Sequence, residues 1–565
     1  MKNKILLSIP IFLLQLNMLF CQDNDVRYGK QLLEDESKSD PYLPNKWNNK
    51  KTSPAFSDMR IMEEDSLIIS IRTVQVNIDA DGLNIIDDAA NEPSLAINPD
   101  DTLKIAIGWR QFDNIGSSFR QAGWSYSSDG GLTWAASVID PGVFRSDPVL
   151  DYDRQNNFYY NSLTPYPDWE CDIYKSEDGG ENWDAGTYAY GGDKQWMVID
   201  KTGGEGTGNI YAVWTSDYSA CEPGDFTRST DGNSSYESCE TIPGQPFYGN
   251  LAINSEGYLF VAGGGGTKTL TIAKSENAKT AGADIIWSDP VDIDLKGTLG
   301  GWASINPEGL LGMTNIEIDN SGGPGDGNIY VMASVDPSSG PDQADVAFAK
   351  STDGGLSWSD VIWVNDEKGD GYTHWLATMS IAPNGRIDAV WLDTRDGEGT
   401  DSSSLYYAYS PDQGETWSAN TRLSNNFDPH VGYPSQSKMG DYFDMTSDDL
   451  GAHLAWANTF NGEQDVYYSR ILLTEAEPEI TSVQENQIKN IPHVSPNPGN
   501  GEFLISNLSA QTNIVLLNPV GQQLKSWNST GSSFSINIST IPAGIYFLEF
   551  TNEKDGVSTI QIIKN

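Results

Sequence analysis

Basic residues are scarce in this chain: 34 Lys and Arg stand against 79 Asp and Glu, a formal charge of -45 over 565 residues. Such an excess repels nucleic acid and anionic membrane surfaces at long range, which excludes nucleic-acid binding as a function class. The acid reads as a solvated coat suited to a salty medium. Long apolar runs are missing beyond residue 21, so no later segment is long and apolar enough to span a membrane. Residues 1–21 have a basic start (Lys2, Lys4) and the run ILLSIPIFLLQLNMLF ahead of a polar chain from Gln22, the pattern of a secretory signal rather than an anchor. A lipoprotein would use Cys21, but bulky Phe20 stands where a small residue is needed, so cleavage near Gln22 is expected. Cysteine and histidine number four each. With Cys21 removed, Cys171, Cys221 and Cys239 remain, and Cys221 with Cys239 is the pair expected in an oxidising compartment.

What the chain does have is repetition. Seven segments carry two short apolar runs joined by an Asn/Asp/Gly turn, as in SLAINPDDTLKIAIGWR (94–110) and ATMSIAPNGRIDAVWLDTR (377–395). Their turn residues are read as Asn98, Asp151, Asp200, Asn254, Asp319, Asn384 and Asp448, 49 to 65 residues apart. A strand-rich repeat of that length is about one four-stranded blade. A third strand follows each pair and runs into a turn, and a fourth begins near a Trp. The fold class is therefore all-β, a β-propeller of seven four-stranded blades with six as the alternative. The last repeat lacks a fourth strand, and the alternating run LIISIRTVQVNID (67–79) before the first is expected to complete it and close the ring.

The turn itself recurs as SYSSDGGLTW (125–134), YKSEDGGENW (174–183), KSTDGGLSW (350–358) and YSPDQGETW (409–417). This Ser-x-Asp-x-Gly-x-x-Trp pattern resembles the Asp-box, or BNR repeat, of sialidases and many other propellers. A degraded fifth copy keeps Ser229 and Asp231, and a trace remains at Ser275. The carboxylate can bind N–H groups of its own turn, glycine permits positive φ, and Trp packs the hairpin onto the blade, so the motif reads as a structural staple.

Residues 1–21 are thus assigned as the signal, 22–66 as an N-terminal extension, 67–473 as the ring, 474–491 as a Glu/Gln/Asn-rich linker and 492–565 as a further domain. In the last, HVSPNPGNGEFLI, IVLLNPVGQQL, IPAGIYFLEF and STIQIIKN resemble the C-terminal sorting domain of type IX secretion substrates of Bacteroidota. The resemblance implies a small β-sandwich, export across the outer membrane to the medium or cell surface, and the secretion machinery as a partner. NIDADGLNIIDD (77–88) places Asn77, Asp79, Asp81 and Asp88 at ligand positions of an EF-hand-like loop, so calcium is a possible ligand although no cofactor is required.

In a propeller, loops leading into the innermost strands and loops leaving the second strands gather at one face around the axis. Glu92, Arg145, Asp147, Asp193, Lys194, Trp196, Tyr248, His374, Trp375, Lys438, Asp441 and Tyr442 fall in the first group, and Trp109, Arg110, Asp217, Asp393, Arg395 and Asn458 in the second. Only nine Arg lie between residues 94 and 472, yet Arg110, Arg145 and Arg395 map to this face. Arginine forks hold carboxylate or sulfate; the plainer alternative is that they pair with Asp147, Asp393 and Asp113 and tie loops together. The sialidase resemblance implies these three arginines on a substrate carboxylate, Tyr248 or Tyr442 as nucleophile, Glu92 as its partner and Asp147 as acid/base. NEPSL stands where that family's Arg-Ile-Pro signature would be. Lys194 and Lys438 are further substrate-binding candidates. A polysaccharide lyase acting on uronates would instead use His374 and Tyr442 to move protons. A non-catalytic glycan-binding propeller would stack sugars on Trp109, Trp196, Tyr248 and Trp375. The expectation is a secreted, monomeric glycan-active protein, a sialidase-superfamily glycoside hydrolase on anionic poly- or oligosaccharide ahead of these two alternatives.

Overall fold

The computed structural model describes residues 48–475 and 492–565, apart from 53–56, 65–66, 166–167, 302, 398–400, 510, 519–521 and 553–555. The signal at 1–21 lies outside the described residues, as does the linker beyond Glu475. Residues up to Glu477 form one compact unit and residues from Pro478 another.

Among the described residues of the first unit, short strands pair antiparallel, mostly with their sequence neighbours, into seven sheets. We number them as blades by their innermost strands: Ala89–Ile97, Ser146–Tyr152, Trp196–Ile199, Asn250–Ile253, Asn315–Ile318, His374–Ile381 and Asp444–Asp448. Each innermost strand packs against the next, and the seventh packs against the first, which closes the ring. Each junction has its own apolar core. Leu150 and Tyr160 meet Ala106 and Trp124 between blades 1 and 2, and Val331 and Ile316 meet Phe260 and Leu270 between blades 4 and 5. Leu95 and Trp134 meet Val466 and Tyr468 between blades 7 and 1. Blade 7 is built from both ends of the ring, because Leu67–Gln75 pairs with Asp465–Glu475 over nine residues, from Leu67↔Glu475 to Gln75↔Tyr467. With no open sheet end, the β-propeller exposes only its outer edges.

Two readings of the sequence are corrected. The ring's sheets begin before residue 67: Asn48–Thr52 pairs with Trp134–Ile139 on the outside of blade 1, and Ser57–Glu64 pairs with Leu67–Gln75 on the outside of blade 7. The second of these, SDMRIMEE, is an edge strand with Met59 and Ile61 on its exposed side and Asp58, Arg60 and Met62 on its half-buried side, so its sequence shows no apolar period. In blade 2 the turn residue is Asp153, whose Oδ1 accepts the N–H groups of Gln155 and Asn157 at 2.8 and 3.0 Å, whereas Asp151 lies on the inner strand. Asn98 closes the same turn in blade 1 by accepting from Asp100 and Asp101.

The Ser-x-Asp turns join blades. Ser127 Oγ donates to Asp129 Oδ1 at 2.8 Å and accepts Gly131 N–H at 2.9 Å, while Asp129 also accepts the N–H groups of Leu132 and Thr133. The same bonds recur around Asp178, Asp353 and Asp412, and around Asp231, where Asn233 holds glycine's place at φ 76°. A Cβ on Gly131 would lie 2.4 Å from the Tyr468 ring, and one on Gly180 2.8 Å from Ala106 Cβ. At Gly131, Gly180 and Gly414 the turn is thus pressed against the preceding blade and glycine is required by both conformation and contact, whereas a Cβ at Gly355 would meet only ordinary contacts from 3.5 Å.

Cys221 and Cys239 form a disulfide and Cys171 is free and buried. In the second unit, His493–Ser495, Glu502–Ser506 and Ser533–Asn537 form one sheet, and Gln523–Ser529, Thr512–Leu517, Gly544–Asn552 and Gly556–Lys564 the other. Their inner faces share one core that includes Phe503, Ile514, Leu516, Leu548 and Phe550, a small β-sandwich.

Candidate functional site

A conformational signature recurs where the chain turns into the inner strands. Glu92 (φ 51°), Asp147 (47°), Lys194 (57°), Tyr248 (51°) and Leu376 (53°) occupy the left-handed region. Each stands two residues before the position at which continuous pairing with the second strand begins, at Ser94, Val149, Trp196, Asn250 and Thr378. In blades 5 and 7 the equivalent residues, Met313 and Tyr442, are not left-handed, and glycines shortly before them, Gly312 (φ 141°) and Gly440 (φ 104°), help the chain turn instead. The ladder register shifts at the turn in blades 1, 2 and 6, so it is a bulge that re-aims a side chain.

Three of these side chains meet. Lys194 Nζ lies 3.9 Å from Glu92 Oε1 and 3.5 Å from Asp147 Oδ2, and it donates a short bond to Asp441 Oδ2. Lys438 Nζ lies 2.9 Å from Glu92 Oε1 and 2.5 Å from Asp441 Oδ2, and Arg110 Nε 3.1 Å from Glu92 Oε2. Three carboxylates and three cations from blades 1, 2, 3 and 7 thus form one buried cluster, each residue less than a tenth exposed. Asp441 is fixed by Leu310 N–H at 2.7 Å, and a Cβ on Gly440 would fall 2.7 Å from Glu92 Cγ, so glycine there lets Glu92 fit. Half-buried Trp196 and Tyr248 flank the cluster, Trp196 edge-on to Tyr442 at 5.2 Å.

The environment separates the carboxyls. Burial pushes Glu92 up to about 7 against the pull of Arg110, Lys194 and Lys438. Burial would raise Asp147 too, but Lys194, Arg110 and Lys438 outweigh it and hold Asp147 far below the usual range. Asp441 is lowered in the same way by Lys194 and Lys438. Because Lys194 touches both, the Glu92 and Asp147 oxygens are no more than about 7 Å apart, within the span of paired glycosidase carboxylates. An acid protonated near neutral pH beside a permanently ionised carboxylate can protonate a leaving group while the other stabilises or attacks the developing cation.

Other residues expected at the site lie elsewhere. Arg145 is held by Asp140 at 3.0 Å and Asp172 at 2.7 Å, and Arg395 by Asp393 at 2.8 Å and Asp366 at 2.5 Å; neither shares a partner with Arg110. The three do not converge, because each has a local carboxylate that neutralises it. His374 is not at a mouth but fully buried, with Nδ1 2.9 Å from Ala344 O and the ring between Asp345 and Asp393. Trp109 and Trp375 do not form an exposed rim: both are fully buried in inter-blade cores, where their indole N–H groups donate to Gln111 and Ser403. Tyr442 is buried and donates to Pro148 O at 2.8 Å, and burial pushes Tyr248 up to about 12. The calcium candidates are not brought together. Asn77 donates to Asp465, Asp79 caps its own turn through Asp81 and Leu83 N–H, and Asp88 accepts from Gln111. Among the described residues no group of three His, Cys, Asp or Glu is placed to hold a metal.

Residues 493–565 match the secretion system C-terminal sorting domain. The chain is thereby marked for export to the outer membrane or cell surface, and no helix among the described residues is long and apolar enough to cross a membrane. No curated protein matches the chain. Among solved structures, a protein of unknown function from Dyadobacter fermentans is 13% identical with a TM-score of 0.41, covering 74% of this chain and 99% of its own. A fungal alcohol oxidase of the AA5 family, in complex with copper, is 11% identical with a TM-score of 0.43, covering 87% and 98%. A GH74 xyloglucanase from Xanthomonas campestris is 10% identical with a TM-score of 0.34, covering 93% and 87%. Similarity at this level bears on no residue of the site, and the chemistry rests on the side chains described above.

Proposed function

We propose that the exported ring is a glycoside hydrolase in which Glu92 is the general acid and Asp147 the ionised partner. The observation that carries this is the opposite displacement of two carboxyls held within about 7 Å of each other by Lys194. Trp196 and Tyr248, half-buried beside the cluster, offer ring faces for a sugar. The Ser-x-Asp turns support membership of the sialidase superfamily as an architecture. The sialidase activity itself gains less, because Arg145 and Arg395 are occupied away from Arg110. With Arg110, Lys194 and Lys438 also neutralised, a neutral glycoside fits the site better than an anionic one. The lyase reading is disfavoured because His374 is held by Asp345, Asp393 and Ala344 and shares no partner with the axial cluster.

The test is reducing-end release by the secreted protein on a panel of neutral and anionic glycans, repeated with Glu92→Gln and Asp147→Asn. Loss of roughly a hundredfold or more in kcat for each variant is expected. Full activity in either variant, or no cleavage of any glycan alongside measurable binding, would leave a recognition protein whose axial charges only close the ring.

A further inference from the structure

Beyond the axial cluster, the inner strands enclose a channel of about 590 Å³, within the range of small-ligand pockets. Exposed Ser255, Asn320 and Pro383 line it near the turns between first and second strands. These turns are the opposite ends of the inner strands from Glu92 and Asp147, so this mouth opens on the other face of the ring.

Four charged residues line the channel, and three are accounted for. Asp151 accepts Lys201 Nζ–H at 2.7 Å and Ile199 N–H at 2.8 Å; Asp444 accepts Ser94 Oγ–H at 2.6 Å and Leu95 N–H at 3.0 Å. The carboxyl of Glu317, half-buried, makes no hydrogen bond or ion pair with any described residue. Burial first, then Asp444, against the pull of Lys201 and with a smaller push from Asp151, raises its carboxyl to about 8. An unpaired acid in a cavity that already carries two carboxylates and one neutralised ammonium lacks one thing, a cation. A metal ion is a poor fit, since no group of three His, Cys, Asp or Glu is placed to hold one among the described residues. Asn250 and Thr446 add polar side-chain atoms to the wall, and Trp196 an aromatic one.

We propose that this channel binds a small hydroxylated ligand bearing a protonated amine, of the amino-sugar class, with its ammonium on Glu317. The proposal shares Trp196 with the catalytic reading but uses neither Glu92 nor Asp147, so the two can fail separately. Calorimetric titration of the whole secreted protein at pH 6 with glucosamine and with N-acetylglucosamine tests it. Glucosamine should bind at least about tenfold more tightly than its neutral acetylated form and release about one proton from Glu317. Glu317→Gln should lose at least about tenfold in affinity together with the proton release. Ser255→Trp, which narrows the mouth without touching the acid, should also weaken binding, whereas Asp147→Asn should leave it unchanged. No binding of glucosamine, equal affinity for the acetylated sugar, or full affinity in Glu317→Gln or Ser255→Trp would overturn the assignment. Loss in Asp147→Asn would put the ligand at the other face and overturn it equally.

Discussion

Replacing Lys194 by Met removes the charge that bridges Glu92, Asp147 and Asp441 while keeping an unbranched stem at the same φ. At separations of 3.9 and 3.5 Å, each attraction from Lys194 to Glu92 and Asp147 amounts to about 4–5 kcal/mol at an effective dielectric of about 20. Much of that is offset because the ammonium no longer has to be desolvated, so the net loss should resemble other broken buried pairs, about 3–5 kcal/mol. For a ring of this length the unfolding entropy is large, and the melting temperature should fall by only about 4–6 °C. Thermal unfolding at pH 7 reads this, and a second variant makes it diagnostic. Adding Asp441→Asn to Lys194→Met should recover stability relative to Lys194→Met alone, since it removes a carboxylate left without one of its two lysines. With Lys194 gone, Glu92 should also titrate above its value of about 7, moving the alkaline limb of any activity upward. A Lys194→Met protein as stable as the parent, or a double variant destabilised by the full sum of the singles, would refute the account of the cluster as mutually dependent charges.

Two further outcomes follow from the same structure. Burial pushes Glu92, Asp225 and Asp465 up to about 7 and Glu317 to about 8; each folded value exceeds its unfolded one, so the stability they contribute is complete below their unfolded pKa values and is lost as pH rises through 7 to 8. Melting should therefore occur at a higher temperature at pH 5 than at pH 8, and the reverse order would contradict the burial assigned to these groups. Gly131→Ala and Gly354→Ala share nearly the same φ, 77° and 74°, but a Cβ at 131 meets the Tyr468 ring at 2.4 Å while one at 354 meets nothing within 4 Å. Gly354→Ala should cost about 1–2 kcal/mol from conformation alone and Gly131→Ala clearly more in thermal unfolding; equal losses would remove the inter-blade contact from the argument.

The propeller was legible because its signals are local. Asn98 and the Ser127/Asp129 turn satisfy their hydrogen bonds within a few residues, and Leu95 and Ile107 sit on short apolar runs that pairing turns toward one junction. The strand Ser57–Glu64 was not legible, since Met59 and Ile61 lie on its exposed side while Asp58 and Arg60 share the half-buried side with Met62, so no apolar period shows. At the site, Glu92, Asp147, Lys194 and Lys438 could be placed at one face by counting strands, and the structure joins them. What counting could not supply is which carboxylate reaches which cation. Arg145 and Arg395 share the face in sequence, yet Asp172 and Asp366, from other segments, hold them away. Glu317 was missed because its neighbours Asp444, Asp151 and Lys201 come from three other blades and meet it only across the channel.

The left-handed residues argue that the axial cluster is more than a plug. Blades 5 and 7 turn into their inner strands without such a residue, with Gly312 and Gly440 shortly ahead of Met313 and Tyr442. The other five positions carry side chains in a region that costs an L-residue roughly 1–2 kcal/mol each. Leu376 recovers that through burial in the core between blades 6 and 7. Glu92, Asp147 and Lys194 have no comparable return, because desolvating an ion pair costs as much as or more than its attraction supplies. Replacement of all three by glycine would relieve the backbone and dispense with the desolvation. Strain and buried charge concentrated on the same three residues, at one end of one axis, are what a site held in a fixed geometry for chemistry requires.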